Sequence, residues 1–128
     1  MDRTIIYVGL GGMLGSIARY LMALVITKAA PAAFPYGTLA VNVAGCLAIG
    51  VIFGLSQRYE WLTPEWRFFL VTGFCGGFTT FSSFAYENFL LLQNKEYTAF
   101  AAYAVLSFVM CLGAVFAGLA LARPGGTI

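Results

Sequence analysis

Four apolar stretches, each long enough to cross a lipid bilayer as a helix, follow one another with little between them. They cover about residues 4–26, 36–56, 67–92 and 98–122. A helix needs about 20 apolar residues to span a hydrocarbon core of about 30 Å. Only 9% of the 128 residues are charged and 61% belong to the hydrophobic set, where a soluble domain carries about 25% charge. Water is the wrong solvent for such a chain, because a small soluble fold leaves about a third of its surface exposed. The expected class is an all-α membrane protein, with residues 1–128 as a single four-helix domain.

The remaining composition excludes much else. Seven Lys or Arg stand against five Asp or Glu, giving a net charge of +2 with no His. No basic run exists to track phosphates, so no nucleic-acid partner is expected. No acidic cluster or His is available for a zinc, iron or two-metal centre. Cys46, Cys75 and Cys111 are odd in number, far apart and set in apolar sequence, so they read as buried free thiols. There is no phosphate-binding glycine loop and no Ser-His-Asp arrangement. Arg3, the apolar run after it and Ala30-Pro31-Ala32 mimic a secretory signal. The run is long for one and carries Arg19, so the first segment is expected to be retained as a span.

The connections carry interfacial punctuation. Pro31 and Pro35 bracket the first link, and Ser56 to Arg67 form the most polar stretch. Thr63 fits an N-cap with Pro64 at the first helical position and Trp66 at the membrane surface. Gln93 to Glu96 form the third link, and Arg123-Pro124-Gly125-Gly126 stop the last helix. Arg3, Arg58, Arg67 and Arg123 on one side oppose Lys28 and Lys95 on the other. That margin is thin for the positive-inside rule and compatible with insertion in either sense. Four such helices make a poor pore alone. Gly11/Gly15, Gly50/Gly54 and Gly73/Gly77 each form GxxxG, a motif that serves either oligomer contact or packing within the chain.

Polar groups inside the spans need an explanation, because lipid does not solvate them. Arg19 is either a snorkelling side chain or a fixed positive charge at an aqueous vestibule. Thr38 and Asn42 share a helix face, and Asn42 either joins helices by a hydrogen bond or lines a path. The third span holds Cys75-Gly76-Gly77-Phe78-Thr79-Thr80-Phe81-Ser82-Ser83-Phe84. Paired Gly beside paired Thr weakens a helix, so a break near its middle competes with an unbroken helix whose hydroxyls bond back to preceding carbonyls. Phe78, Phe81 and Phe84 form a stripe at helical spacing, either packed or lining a path with their electropositive ring edges. Glu87 extends the polar side, hydrogen-bonded or hydrated near the span end. Tyr103, Ser107 and Cys111 recur at intervals of four, as one wall of a polar track or as ordinary interface and packing residues.

The inventory of amide, hydroxyls, ring edges and one arginine, without a ring of carboxylates, suits a small, strongly hydrated anion. A four-helix antiporter of drug-like cations would need an acid deep in the first span, where Arg19 stands instead. A non-conducting assembly protein would use the Gly faces and Asn42 only for adhesion.

Gly12-Met13-Leu14-Gly15-Ser16-Ile17-Ala18-Arg19-Tyr20, Gly37-Thr38-Leu39-Ala40-Val41-Asn42-Val43-Ala44-Gly45 and the segment Gly73 to Phe84 closely resemble the bacterial CrcB/Fluc fluoride channels. The resemblance covers essentially the whole chain. It implies an antiparallel, dual-topology homodimer in the bacterial inner membrane, passing fluoride passively through two pores built from both subunits and so relieving fluoride toxicity. It also implies a structural Na+ at the dimer centre, held by backbone carbonyls of Gly76 and Thr79 from each subunit. By the same resemblance Asn42 faces the fluoride path, and Phe81 and Phe84 offer ring edges to the ion. Tyr103 and Ser107 form the polar track, with Thr38, Ser82 and Glu87 nearby, and Arg19 stands in the aqueous approach. Two positions depart from the family pattern: Ser83 where Thr is common, and Cys111 where the track usually ends in Ser or Thr.

Overall fold

The computed structural model describes residues 3–29, 34–59 and 62–122. The residues that bracket the first link at Pro31 and stop the last helix at Arg123 to Gly126 lie outside that description, as does Ala30-Pro31-Ala32. Every described element is helical. The order is α1 (Thr4–Ala29), α2 (Tyr36–Arg58), α3 (Pro64–Arg67), a π-helical stretch (Phe68–Cys75), α4 (Gly76–Phe78), α5 (Phe81–Gln93) and α6 (Tyr97–Ala122). Four membrane-length spans result among the described residues, the third being the composite Pro64–Gln93. They match the four expected segments, with the third beginning earlier than the apolar run suggests because Pro64 starts it. Thr63 takes the extended N-cap backbone but makes no side-chain cap bond.

The third span is interrupted at Thr79-Thr80. Thr79 has φ −84° and ψ 156°, and Thr80 has φ −153° and ψ 118°, so both are extended. The paired glycines are not the fault line, since Gly76 has ordinary α-helical angles. Gly77 serves close approach: a Cβ there would press on the Gly12 backbone of α1 at 2.6 Å from its carbonyl oxygen. The break also divides the aromatic stripe. Phe78 is buried and stacks on Phe74 at 5.8 Å, whereas Phe81 and Phe84 begin the next helix.

Helices α1 and α2 each take one main partner: α1 runs along the π-helical stretch and α4, and α2 runs along α6. Glycine makes both contacts tight. A Cβ on Gly11 would strike the Phe69 carbonyl, one on Gly15 the Phe74 carbonyl, and one on Gly50 the Val115 carbonyl. Each of the three GxxxG pairs therefore contributes at least one glycine to packing within the chain. α5 crosses to α6, where Leu39, Leu91 and Tyr103 form a buried cluster with Phe34, Val43 and Phe84 against it. The α5–α6 turn closes with Glu96 N–H donating to Leu91 O at 2.8 Å and Lys95 N–H to Leu92 O at 3.1 Å. Lys95 has φ 60°, the left-handed position of a helix C-terminal motif that glycine usually fills.

Candidate functional site

A broken helix in lipid must find partners for the backbone groups it releases. Asn42, on the facing turn of α2, supplies the central pair. Its Nδ2 donates to Thr80 O at 3.2 Å, and its Oδ1 accepts from Thr80 N–H at 2.9 Å. The Thr80 hydroxyl then caps α5, accepting from Ser83 N–H at 3.2 Å. Ser82, exposed beside it, shares a hydroxyl–hydroxyl bond of 3.2 Å with Thr80. On the other side of the break, Thr79 N–H and Thr79 Oγ1 both donate to Cys75 O, at 2.8 and 2.9 Å.

These diversions leave a defined set of carbonyls without their helical donors. In an unbroken helix Thr80 N–H would donate to Gly76 O and Ser83 N–H to Thr79 O, four residues back. Here those donors go to Asn42 and to the Thr80 hydroxyl. The neighbouring Gly77 O is taken by Arg19, whose Nε donates to it at 3.2 Å. Arg19 is half-buried and acts as a side-chain cap on the broken helix.

Beside the break lies an open groove of about 520 Å³ on the flank of α2, α5 and α6. Of the residues expected on an ion path, it is lined by Asn42, Phe81, Phe84 and Ser107, together with Thr79, Thr80 and Cys111. Phe81 is 77% exposed, and its ring lies 5.6 Å from Phe84. Ser107 is buried, and its Oγ has no hydrogen-bond partner among the described residues. The second Nδ2 hydrogen of Asn42 is likewise uncommitted among the described residues. The groove is thus mostly apolar, with Asn42, Thr80 and Ser107 as polar lining residues beside the rings of Phe81 and Phe84, and no carboxylate lines it.

Three of the other expected residues, Thr38, Glu87 and Tyr103, form a second cluster that does not line the groove. Glu87 accepts from Thr38 Oγ1 and from Tyr103 OH, each at 2.9 Å, through its two carboxylate oxygens. Tyr103 is fully buried, packed edge-on to Phe34 at 5.5 Å and tilted against Phe84 at 5.0 Å. The Tyr103–Ser107–Cys111 row therefore diverges in use: its first member is core, and the other two face the groove.

Several participants were missed in the sequence. Thr80 is the hub of the break, Cys46 and Phe108 line the groove, and Asn88 is buried with Nδ2 donating to Phe84 O at 3.0 Å. Cys46 was legible as the residue one turn beyond Asn42, and Phe108 as the neighbour of Ser107. The Thr80–Asn42 pairing had no local signal. Among the described residues no cluster of three or more His, Cys, Asp or Glu is placed to hold a metal ion.

A model of the family described as CrcB-like protein, Camphor Resistance (CrcB), matches residues 6–119. A Flavobacterium psychrophilum protein named fluoride-specific ion channel FluC is 46% identical over 121 residues, covering 94% of this chain and 98% of that protein. Proteins of the same name from Leptospira interrogans and Nitratidesulfovibrio vulgaris are 41% and 44% identical, covering 92% and 93% of this chain and 93% and 96% of their own lengths.

Proposed function

The chain belongs to the CrcB-like family, and from that membership we propose that it is a fluoride-selective channel of the bacterial inner membrane that lets cytoplasmic fluoride leave passively. It is a channel and not an enzyme. Hydrogen fluoride crosses membranes as a neutral molecule and dissociates in the more alkaline cell interior, so the trapped anion needs an exit. The observation that carries the reading is the groove itself. Asn42, Ser107, Phe81 and Phe84 all line it, and all four lie within the membrane-length spans. Water lost from fluoride is replaced by several weak donors in a space that offers chloride and bulk water no such fit.

The groove is open along the flank of one subunit, and Phe81 and Phe108 stand 77% and 71% exposed at its edge. Those exposed rings support an assembly in which a second copy covers the groove and completes the wall. The balanced Arg and Lys distribution supports an antiparallel pair. The freed carbonyls of Gly76 and Thr79 support a Na+ at the centre of such a pair. Each subunit brings two main-chain oxygens that carry no helical donor, a neutral set suited to a small hard cation. Na+ bound there supplies fixed positive charge that stabilises two helix breaks at once. Arg19 takes Gly77 O, which lies between these two carbonyls in sequence, out of that set. Thr38, Glu87 and Tyr103 brace the α2–α5–α6 junction next to the route.

Purified protein in fluoride-loaded liposomes provides the test, with release followed by a fluoride electrode. Rapid fluoride release with little chloride release is expected. Folded protein that passes neither ion would overturn the channel reading.

A further inference from the structure

Cys46 and Cys111 both line the groove and are both half-buried. Cys46 lies one turn beyond Asn42 on α2, and Cys111 one turn beyond Ser107 on α6. These two helices pack along each other, with Gly50, four residues past Cys46, against the carbonyl of Val115, four residues past Cys111, so the two cysteines stand at the same level. Cys75 is a different case: it is only 1% exposed and does not line the groove. A thiol is a weak hydrogen-bond donor, so the pair adds little to recognition of fluoride. It has another chemistry. Two adjacent sulfurs in a low-polarity cleft are the ligand set that soft metal ions prefer.

We propose that Cys46 and Cys111 form a two-thiolate site for a soft, thiophilic metal ion such as Hg2+, Ag+ or Cu+, seated across the groove between α2 and α6. With Hg2+ as the probe, two S–Hg bonds form, two S–H bonds break, and both protons pass to water. The product is neutral, so it suits walls made by Ile49, Phe84 and Phe108. No electron is transferred and no oxidant is needed. A metal held there obstructs the space beside Asn42. That consequence for flux rests on the groove being the fluoride route, whereas metal binding does not.

The purified full chain is titrated with mercuric chloride, following thiolate-to-metal charge-transfer absorbance and intact mass, then challenged with excess monothiol. Wild type and Cys75→Ala are expected to retain one Hg2+ per chain. Cys46→Ala and Cys111→Ala should hold it about 100-fold more weakly, because the second sulfur no longer acts as a tethered ligand. Retention by either single variant, or loss from Cys75→Ala, overturns the site. In liposomes, Hg2+ should cut fluoride release at least about tenfold in Cys75→Ala relative to its own untreated rate, while Cys46→Ala loses this sensitivity. Metal retained with release unchanged overturns the obstruction. Absence of release before any metal is added counts against the channel reading instead, and the binding titration still decides the site.

Discussion

Both backbone polar groups of Thr80 are bonded to the side chain of one residue, Asn42, at 2.9 and 3.2 Å. The pairing joins α2 to the third span at the point where that span stops being helical. One amide therefore stabilises the break and also borders the groove, so the stability of the break and the shape of the groove are coupled through a single residue.

Asn42→Asp keeps an oxygen to accept from Thr80 N–H but sets a second oxygen against Thr80 O. We expect a loss of about 1–3 kcal/mol from the unmade bond and a fall in fluoride release of at least about tenfold. Thermal melting in detergent and liposome release measure the two effects; a wild-type result in both would remove the coupling.

Phe81→Ile tests the ring alone. With 77% of Phe81 exposed in the subunit, its replacement should change subunit melting by no more than about 0.5 kcal/mol. Fluoride release should nonetheless fall sharply, since an aliphatic side chain has no electropositive edge. Unchanged release from protein that elutes as wild type does would exclude the ring from the route.

Gly15→Ala and Gly9→Ala form a matched pair on α1. A Cβ at Gly15 collides with the Phe74 carbonyl, whereas a Cβ at Gly9 meets nothing within 4 Å. The first should cost at least about 1–3 kcal/mol and reduce monodisperse yield, and the second should be neutral or slightly stabilising. Equal melting temperatures would show that the close α1 contact is not needed.

Tyr103→Phe and Thr38→Val each remove one donor from Glu87. Bonds to a charged acceptor are worth about 1.5–3 kcal/mol, so each change should lower stability on that scale. The double variant should depart from additivity by at least about 0.5 kcal/mol, because both donors share one carboxylate. Additive losses would mean that the two bonds act independently.

Thr79→Ala retains the main-chain N–H that bonds Cys75 O and the freed carbonyl, losing only the hydroxyl bond of 2.9 Å. Thr79→Pro removes the N–H as well. Dependence of fluoride release on Na+ should survive the alanine change and be lost with proline. Identical behaviour of the two variants would refute a role for the carbonyl.

Much of this was legible in the chain itself. Residue type carries solvent preference, so the spans could be read by length and charge scarcity. The scarcity of polar residues inside them singled out Asn42, Thr79, Glu87 and Ser107, whereas the role of Phe81 came from the family resemblance. The break was legible only in outline. Gly76-Gly77 drew attention as the weaker helix formers, yet the extended backbone falls on Thr79-Thr80, and Gly77 serves close contact with α1. Local propensity identifies where a helix is weak, while the place it opens depends on which released groups find partners.

What the order of residues determined alone was the membrane as solvent, four helices, and the identity of the few side chains that lipid does not tolerate unpartnered. Which of those side chains meet was decided by tertiary packing. Asn42 reaches Thr80 across 38 positions, and Arg19 reaches Gly77 across 58. The intrachain glycine contacts that bring α1 against the third span, and α2 against α6, set those encounters. Hydrogen bonds act over about 3 Å, and no local pattern in a sequence encodes a distance between segments so far apart.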